Sequence, residues 1–257
     1  MTAKIQRNLG LIGVSAKNEN SISSGVADTT SQRLYLKTNP VVEVYGFQNS
    51  KRHLSHSSTS VTSTINLGTA HSDREIYIVV TSMNAGASAS SSPVASVTIG
   101  GNSCTELFQT AQAAVTNSSS VSFFRYVDNG SLGTSATYVV NFAFSQVHSG
   151  VSTFTTGPTA SANVDTYGVG ASGWGAAGSV SSSNGGFVLY GSIAQNSSTP
   201  TNSSVTGYTV GNYFDAGSNE WSVIAYQDEL TGGTVTVPQP SYTPNGQTAF
   251  AAISRES

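Results

Sequence analysis

The chain has 257 residues, of which only 9% are charged, with a formal net charge of −3 and 44 serines and 29 threonines. That length suits one large β domain or two ordinary ones. A single cysteine, Cys104, excludes an internal disulfide, no apolar run is long enough for a membrane-crossing helix, and ten Phe, eleven Tyr and repeated Val and Ile runs argue against a disordered Ser/Thr/Gly chain.

Residues 1–40 show no sustained hydrophobic period and are expected to form an extended N-terminal arm. The opening MTAKIQRNLG has no apolar core and no cleavage signature, so synthesis in a cytoplasm is expected. Lys4, Ile5, Arg7, Leu9, Leu11, Ile12 and Val14 make a basic and apolar segment that needs a surface to cover it. Residues 1–60 carry seven basic and three acidic side chains, and residues 61–257 carry three and ten. A positive arm beside a negative remainder favours docking on neighbouring copies or on another acidic protein. Seven dispersed cations do not make the clustered patch that phosphate binding favours, so no nucleic-acid partner is expected.

Strand signals begin at Val41–Phe47 and continue at Ser60–Gly68, where Val61, Ser63 and Ile65 alternate with threonines. Arg74–Thr81 is apolar on both faces and reads as a central strand. Met83–Pro93 reads as a loop, followed by a strand that ends SVTIGG, with Gly100-Gly101 as its tight turn. Ser103–Val115 has a weak helical face but reads as a strand running into a loop. Ser119–Asp128 then ends at the turn Asp128-Asn129-Gly130. Tyr138, Val140, Phe142 and Phe144 share one face of Ala136–Phe144, and a separate strand is expected at Gly150–Thr156. Residues 157–186 read as a glycine-rich loop. Strands follow at Phe187–Ala194, Glu220–Asp228, Gly233–Pro238 and Thr248–Ser254, with Thr231-Gly232-Gly233 as a hairpin turn. The pattern predicts an all-β fold: an antiparallel β-sandwich or jelly-roll-like body over residues 41–257, behind the arm of residues 1–40.

Leu67-Gly68-Thr69, Asp73-Arg74, the SVTIGG strand and Gly133-Thr134 stand in an order that resembles a group of β-sandwich virion proteins of tailed bacteriophages and prophages. The resemblance covers roughly residues 60–155 and leaves out both the arm and the glycine-rich stretch. It implies a structural or decorating subunit located on the virion, and it carries over no catalytic residue.

Side chains able to do chemistry are sparse. His53, His56, His71 and His148 have no acid or cysteine beside them at ligand spacing, and no metal or cofactor is expected. Gly168–Gly173 matches a dinucleotide-binding fingerprint in letters only, because no helix-forming sequence follows it. Asp165, Asp215, Glu220 and Asp228 are the acids that stand out in the second half, and the segment between Asp215 and Glu220 reads as a turn. Trp221 alternates with Val223 and Ala225 and reads as core.

A noncatalytic bacteriophage virion component is therefore expected, either a capsid decoration (cement) subunit or a tail- or fibre-associated one, held by its arm. Its expected partners are copies of itself, a trimer included, and other virion proteins. The alternative is a glycan-binding adhesin of a tail fibre that touches a host-surface glycan through Tyr167 and Trp174 in the glycine-rich stretch. The reading favoured over it for Trp174 is a plug of the sandwich end or of a subunit interface.

Overall fold

The computed structural model of the chain describes residues 42–53, 58–84, 93–111, 118–159, 164–172, 175–195, 204–217, 220–241, 244 and 246–255. Residues 1–40, with the seven side chains expected to make the arm's contacts, lie outside the described residues, as does Trp174. The described residues form fifteen strands and no helix: β1 (Val44–His53), β2 (Ser58–Asn66), β3 (Arg74–Asn84), β4 (Val94–Ile99), β5 (Asn102–Ser103), β6 (Thr105–Ala111), β7 (Ser119–Asp128), β8 (Ser135–Thr156), β9 (Val164–Ser172), β10 (Gly178–Asn184), β11 (Phe187–Gln195), β12 (Thr209–Gly217), β13 (Glu220–Gln227), β14 (Thr231–Val237) and β15 (Gln247–Arg255). All pairing is antiparallel, and the architecture is a β-sandwich.

The 22-residue β8 organises the first sheet, which has eight strands. Its first half, around Ser135–Gln146, pairs with β2 on one side and β4 on the other. Its second half, up to Thr156, pairs with β1 and β3. Burial changes along it to match. Alternate residues are buried over Ser135–Phe142, and every residue is buried from His148 onward. One strand thus passes from an outer to an inner position, and the first sheet folds over its own core. That core holds Val61, Ile65, Ile76, Ile78, Val97, Tyr138 and Val140. Gln109 of β6 completes the closure. Its amide accepts the Val94 N–H at 3.0 Å and donates to the Val94 carbonyl at 2.9 Å, standing in for a strand at the edge of β4.

The second sheet, ordered β12-β13-β11-β15-β9, packs on the other face of β3 and β7. Tyr77, Val79, Phe123 and Phe154 meet Phe187, Leu189, Ile193 and Ile253 there. At Gly191 the sheets approach closely, since a Cβ would stand 2.9 Å from Val121 and 3.0 Å from Val79. The two-stranded ribbon β10-β14 covers the far face of the second sheet over a third core that includes Val180, Tyr190, Val223, Leu230, Val237 and Phe250. Both β3 and β11 are therefore buried on both faces, as their unbroken apolar runs require.

Several elements differ from the sequence reading. The first strand runs on to His53, and the two strands expected at Ala136–Phe144 and Gly150–Thr156 are one. Residues 157–186 hold β9 and β10 where a long loop is expected. Glycine there makes room for rings: Gly168 lies under Phe108 and Gly178 under Tyr167, each closer than a Cβ would allow. The same packing hides β12, whose Gly211 sits against Phe47. Thr231-Gly232-Gly233 is the start of β14 and not a hairpin turn. The chain turns one step earlier, at Asp228–Leu230, with Glu229 at φ +51°, and β14 pairs with β10 instead of β13. By contrast Gly100 and Gly101, at φ +56° and +81°, make the tight turn expected between β4 and β5.

Candidate functional site

Among the described residues the buried Arg, Asp and Glu side chains fall into two clusters. Arg74, at the start of β3, and Asp128, at the end of β7, are fully buried and meet at 2.7 Å. Arg74 also donates to the carbonyls of Leu67, Thr69, Leu132 and Gly133 at 2.8–3.2 Å. Asp128 accepts the N–H groups of Gly130 and Leu132, both at 3.1 Å. The Leu-Gly-Thr, Asp-Arg and Gly-Thr pieces singled out in the sequence therefore surround one guanidinium. Their spacing is that of a cage joining two loops, and its geometry is structural.

The second cluster centres on Glu75. Its carboxylate accepts from Tyr77 Oη at 2.6 Å, from Arg125 Nε at 2.8 Å and from Thr159 N at 3.0 Å, with a further close contact to Arg125 Nη2. Burial opposes ionisation of Glu75, but the hydrogen bonds from Arg125, Tyr77 and Thr159 outweigh it and hold the carboxyl below the usual range. Arg255 on β15 completes the network through Tyr77 Oη at 3.0 Å and Thr159 Oγ1 at 2.5 Å. Tyr77 is buried and its phenol is pushed well up, first by desolvation and then by Glu75.

The residues singled out from sequence do not converge. Tyr167 lies half-buried on β9, where its hydroxyl donates to the Ala176 carbonyl at 2.6 Å and its ring packs over Gly178, 6.0 Å from Phe250. Its ring is part of the packing over the second sheet. His53 closes β1 with its Nε2 2.5 Å from Tyr138 Oη, His71 stacks on Tyr45 at 4.3 Å, and His148 is buried in β8. Among the described residues no three metal-ligating side chains gather. Asp165 is an exposed brace: it accepts the backbone N–H of Ser181 and of Thr166, and these bonds, Ser181 first, lower its pKa. Gly168–Ser172, the start of the fingerprint match, lies in β9.

Depressions on the described surface include the following pair. A shallow depression of about 530 Å³ lies beside the arginine cage, lined by Asn66, Gly68, Thr69, Thr134 and Ser135. A groove of about 320 Å³ runs along β14, walled by Thr206–Tyr208 and Gln227. Tyr208 is held there by its hydroxyl, which donates to the Thr236 carbonyl at 3.0 Å, and by Tyr190, 5.6 Å away between ring centres. Sequence reading passed over this groove because its walls are ordinary threonines and glycines from three separate segments. The one available signal was Tyr208, the sole aromatic in the polar run Asn202–Val210.

Set against protein-family models, curated proteins and solved structures, the chain finds no match.

Proposed function

We infer that this chain is a noncatalytic structural subunit of a tailed-phage virion, a capsid decoration subunit or a tail-associated one, held in place by residues 1–40. One observation carries the reading. Arg74, Glu75, Arg125 and Asp128 are engaged in networks that join loops and sheets, so among the described residues the best-organised charges serve rigidity. A body with sheets buried on both faces suits a part whose work is contact. Two features support the placing. The pattern over residues 60–155 resembles phage sandwich virion proteins, and the basic arm complements an acidic remainder. Symmetry then multiplies weak contacts, so that a closed homo-oligomer such as a trimer holds where one arm alone would not.

Deleting residues 1–40 tests this. The shortened chain keeps the thermal unfolding of the body, while sedimentation velocity shows that the self-association of the full chain is lost. In the full chain that association weakens as salt is raised, because exposed charges are screened within about 10 Å at 0.1 M. Equal association with and without the arm would refute the assembly role.

A further inference from the structure

We propose that the groove between β14 and Tyr208 is a binding site for a neutral glycan. The inference stands apart from the assembly reading, since a subunit of a particle can carry such a site or lack it, and it uses neither Tyr167 nor Trp174.

The chemistry of the lining selects the ligand class. Thr206, Gln227, Thr231, Thr234 and Thr236 bring hydroxyls and an amide, and the only ionisable lining group is the Tyr208 phenol. Burial raises the pKa of that phenol, so it is neutral at physiological pH. The walls thus offer hydrogen-bond donors and acceptors without fixed charge, which matches the hydroxyls of an uncharged sugar. Tyr208 adds an aromatic ring beside them, held by its hydroxyl and by Tyr190, and a sugar's C–H groups can pack on the face of such a ring.

The backbone contributes too. Thr236 turns its carbonyl towards Tyr208. In an antiparallel pair alternate residues face the same way, so Thr234, two positions back, presents its N–H and C=O on the groove side of β14. Among the described strands β14 pairs with β10 alone. An unpaired edge invites an added peptide strand as well as a sugar. Gly232 and Gly233 decide between them. Their φ values of +82° and +100° depart from regular strand geometry, so although the pairing with β10 runs on to Thr231, the outer edge offers an added strand a regular backbone only from Thr234 to Val237. A compact polyol needs no such continuity.

The test is a titration of the isotope-labelled full chain followed by amide NMR. The probes are lactose, maltose, cellobiose and N,N′-diacetylchitobiose at millimolar concentration, with an extended Thr/Val heptapeptide as the strand probe. At least one disaccharide shifts the amides of Gly207, Tyr208, Gly232 and Thr234. Gln227→Ala and Thr234→Val, both folded by their unchanged spectra elsewhere, each weaken that binding about threefold to tenfold, the worth of one hydrogen bond. Silence at those amides with all four sugars overturns the proposal. So do equal shifts in the two variants, or a response to the heptapeptide in place of the sugars.

Discussion

At the scale of single residues, the Arg74–Asp128 pair is the most demanding feature of the body. Neither side chain reaches solvent, and removing two charges from water costs several kcal/mol each. The pair is tolerated because four carbonyls and two amides surround it with hydrogen bonds, leaving only Arg74 Nε of the guanidinium without one. This predicts an outcome opposite to that of a bare buried pair, for which apolar replacement of both partners is often neutral. Arg74→Met should cost about 3–5 kcal/mol, read as a lowered midpoint of urea unfolding. Arg74→Met combined with Asp128→Leu should remain similarly unstable, because the carbonyls of Leu67, Thr69, Leu132 and Gly133 then have no donor. Recovery of the parent midpoint in the double variant would show that only charge mattered. Cys104 is simpler: it is partly buried against the first core, and burial pushes its thiol up to about 12, which disfavours the thiolate.

At the scale of elements, β8 shows how one strand serves two layers. Its change from alternating to continuous burial follows its change of neighbours, from β2 and β4 to β1 and β3. At the closing edge of the first sheet Gln109 bridges to Val94 and also accepts from the Ser122 hydroxyl at 2.9 Å. Gln109→Leu keeps the volume and removes the amide. The Val94 N–H and C=O then lose their partner, at a cost of about 1–3 kcal/mol. Native-state hydrogen exchange checks this, with the Val94 amide exchanging faster while those of β3 stay protected. Unchanged protection at Val94 would mean that the edge is closed by something other than Gln109.

At the scale of the whole molecule, the Glu75 network ties the sheets together. Glu75 and Tyr77 belong to β3, Arg125 to β7 and Arg255 to β15 of the second sheet. The Glu75 carboxyl has a folded pKa below its ordinary value of 4.5. The stability it contributes is therefore complete above 4.5 and is lost as pH falls through the lower, folded value. Thermal melts should show Glu75→Gln less stable than the parent at neutral pH, with the two converging in acid. A gap that stayed constant with pH would separate the variant's effect from ionisation.

How much of this was legible in sequence depends on the range of the interaction that decides it. Alternation over Ala136–Phe144, the apolar run of β3 and the Gly100-Gly101 turn are set by neighbours within a few residues, and the sequence by itself determined them, along with an all-β antiparallel body. The pairing of β14 with β10, the strands at β9 and β12, and the groove beside Tyr208 needed the tertiary structure. Their glycines make room for Phe47, Phe108 and Tyr167, residues far away in the chain or packed across a layer. A glycine beneath an aromatic ring and a glycine in a loop look the same in one dimension. Only the folded chain shows which side chain fills the missing Cβ, and with it which segments become strands and which surfaces stay open.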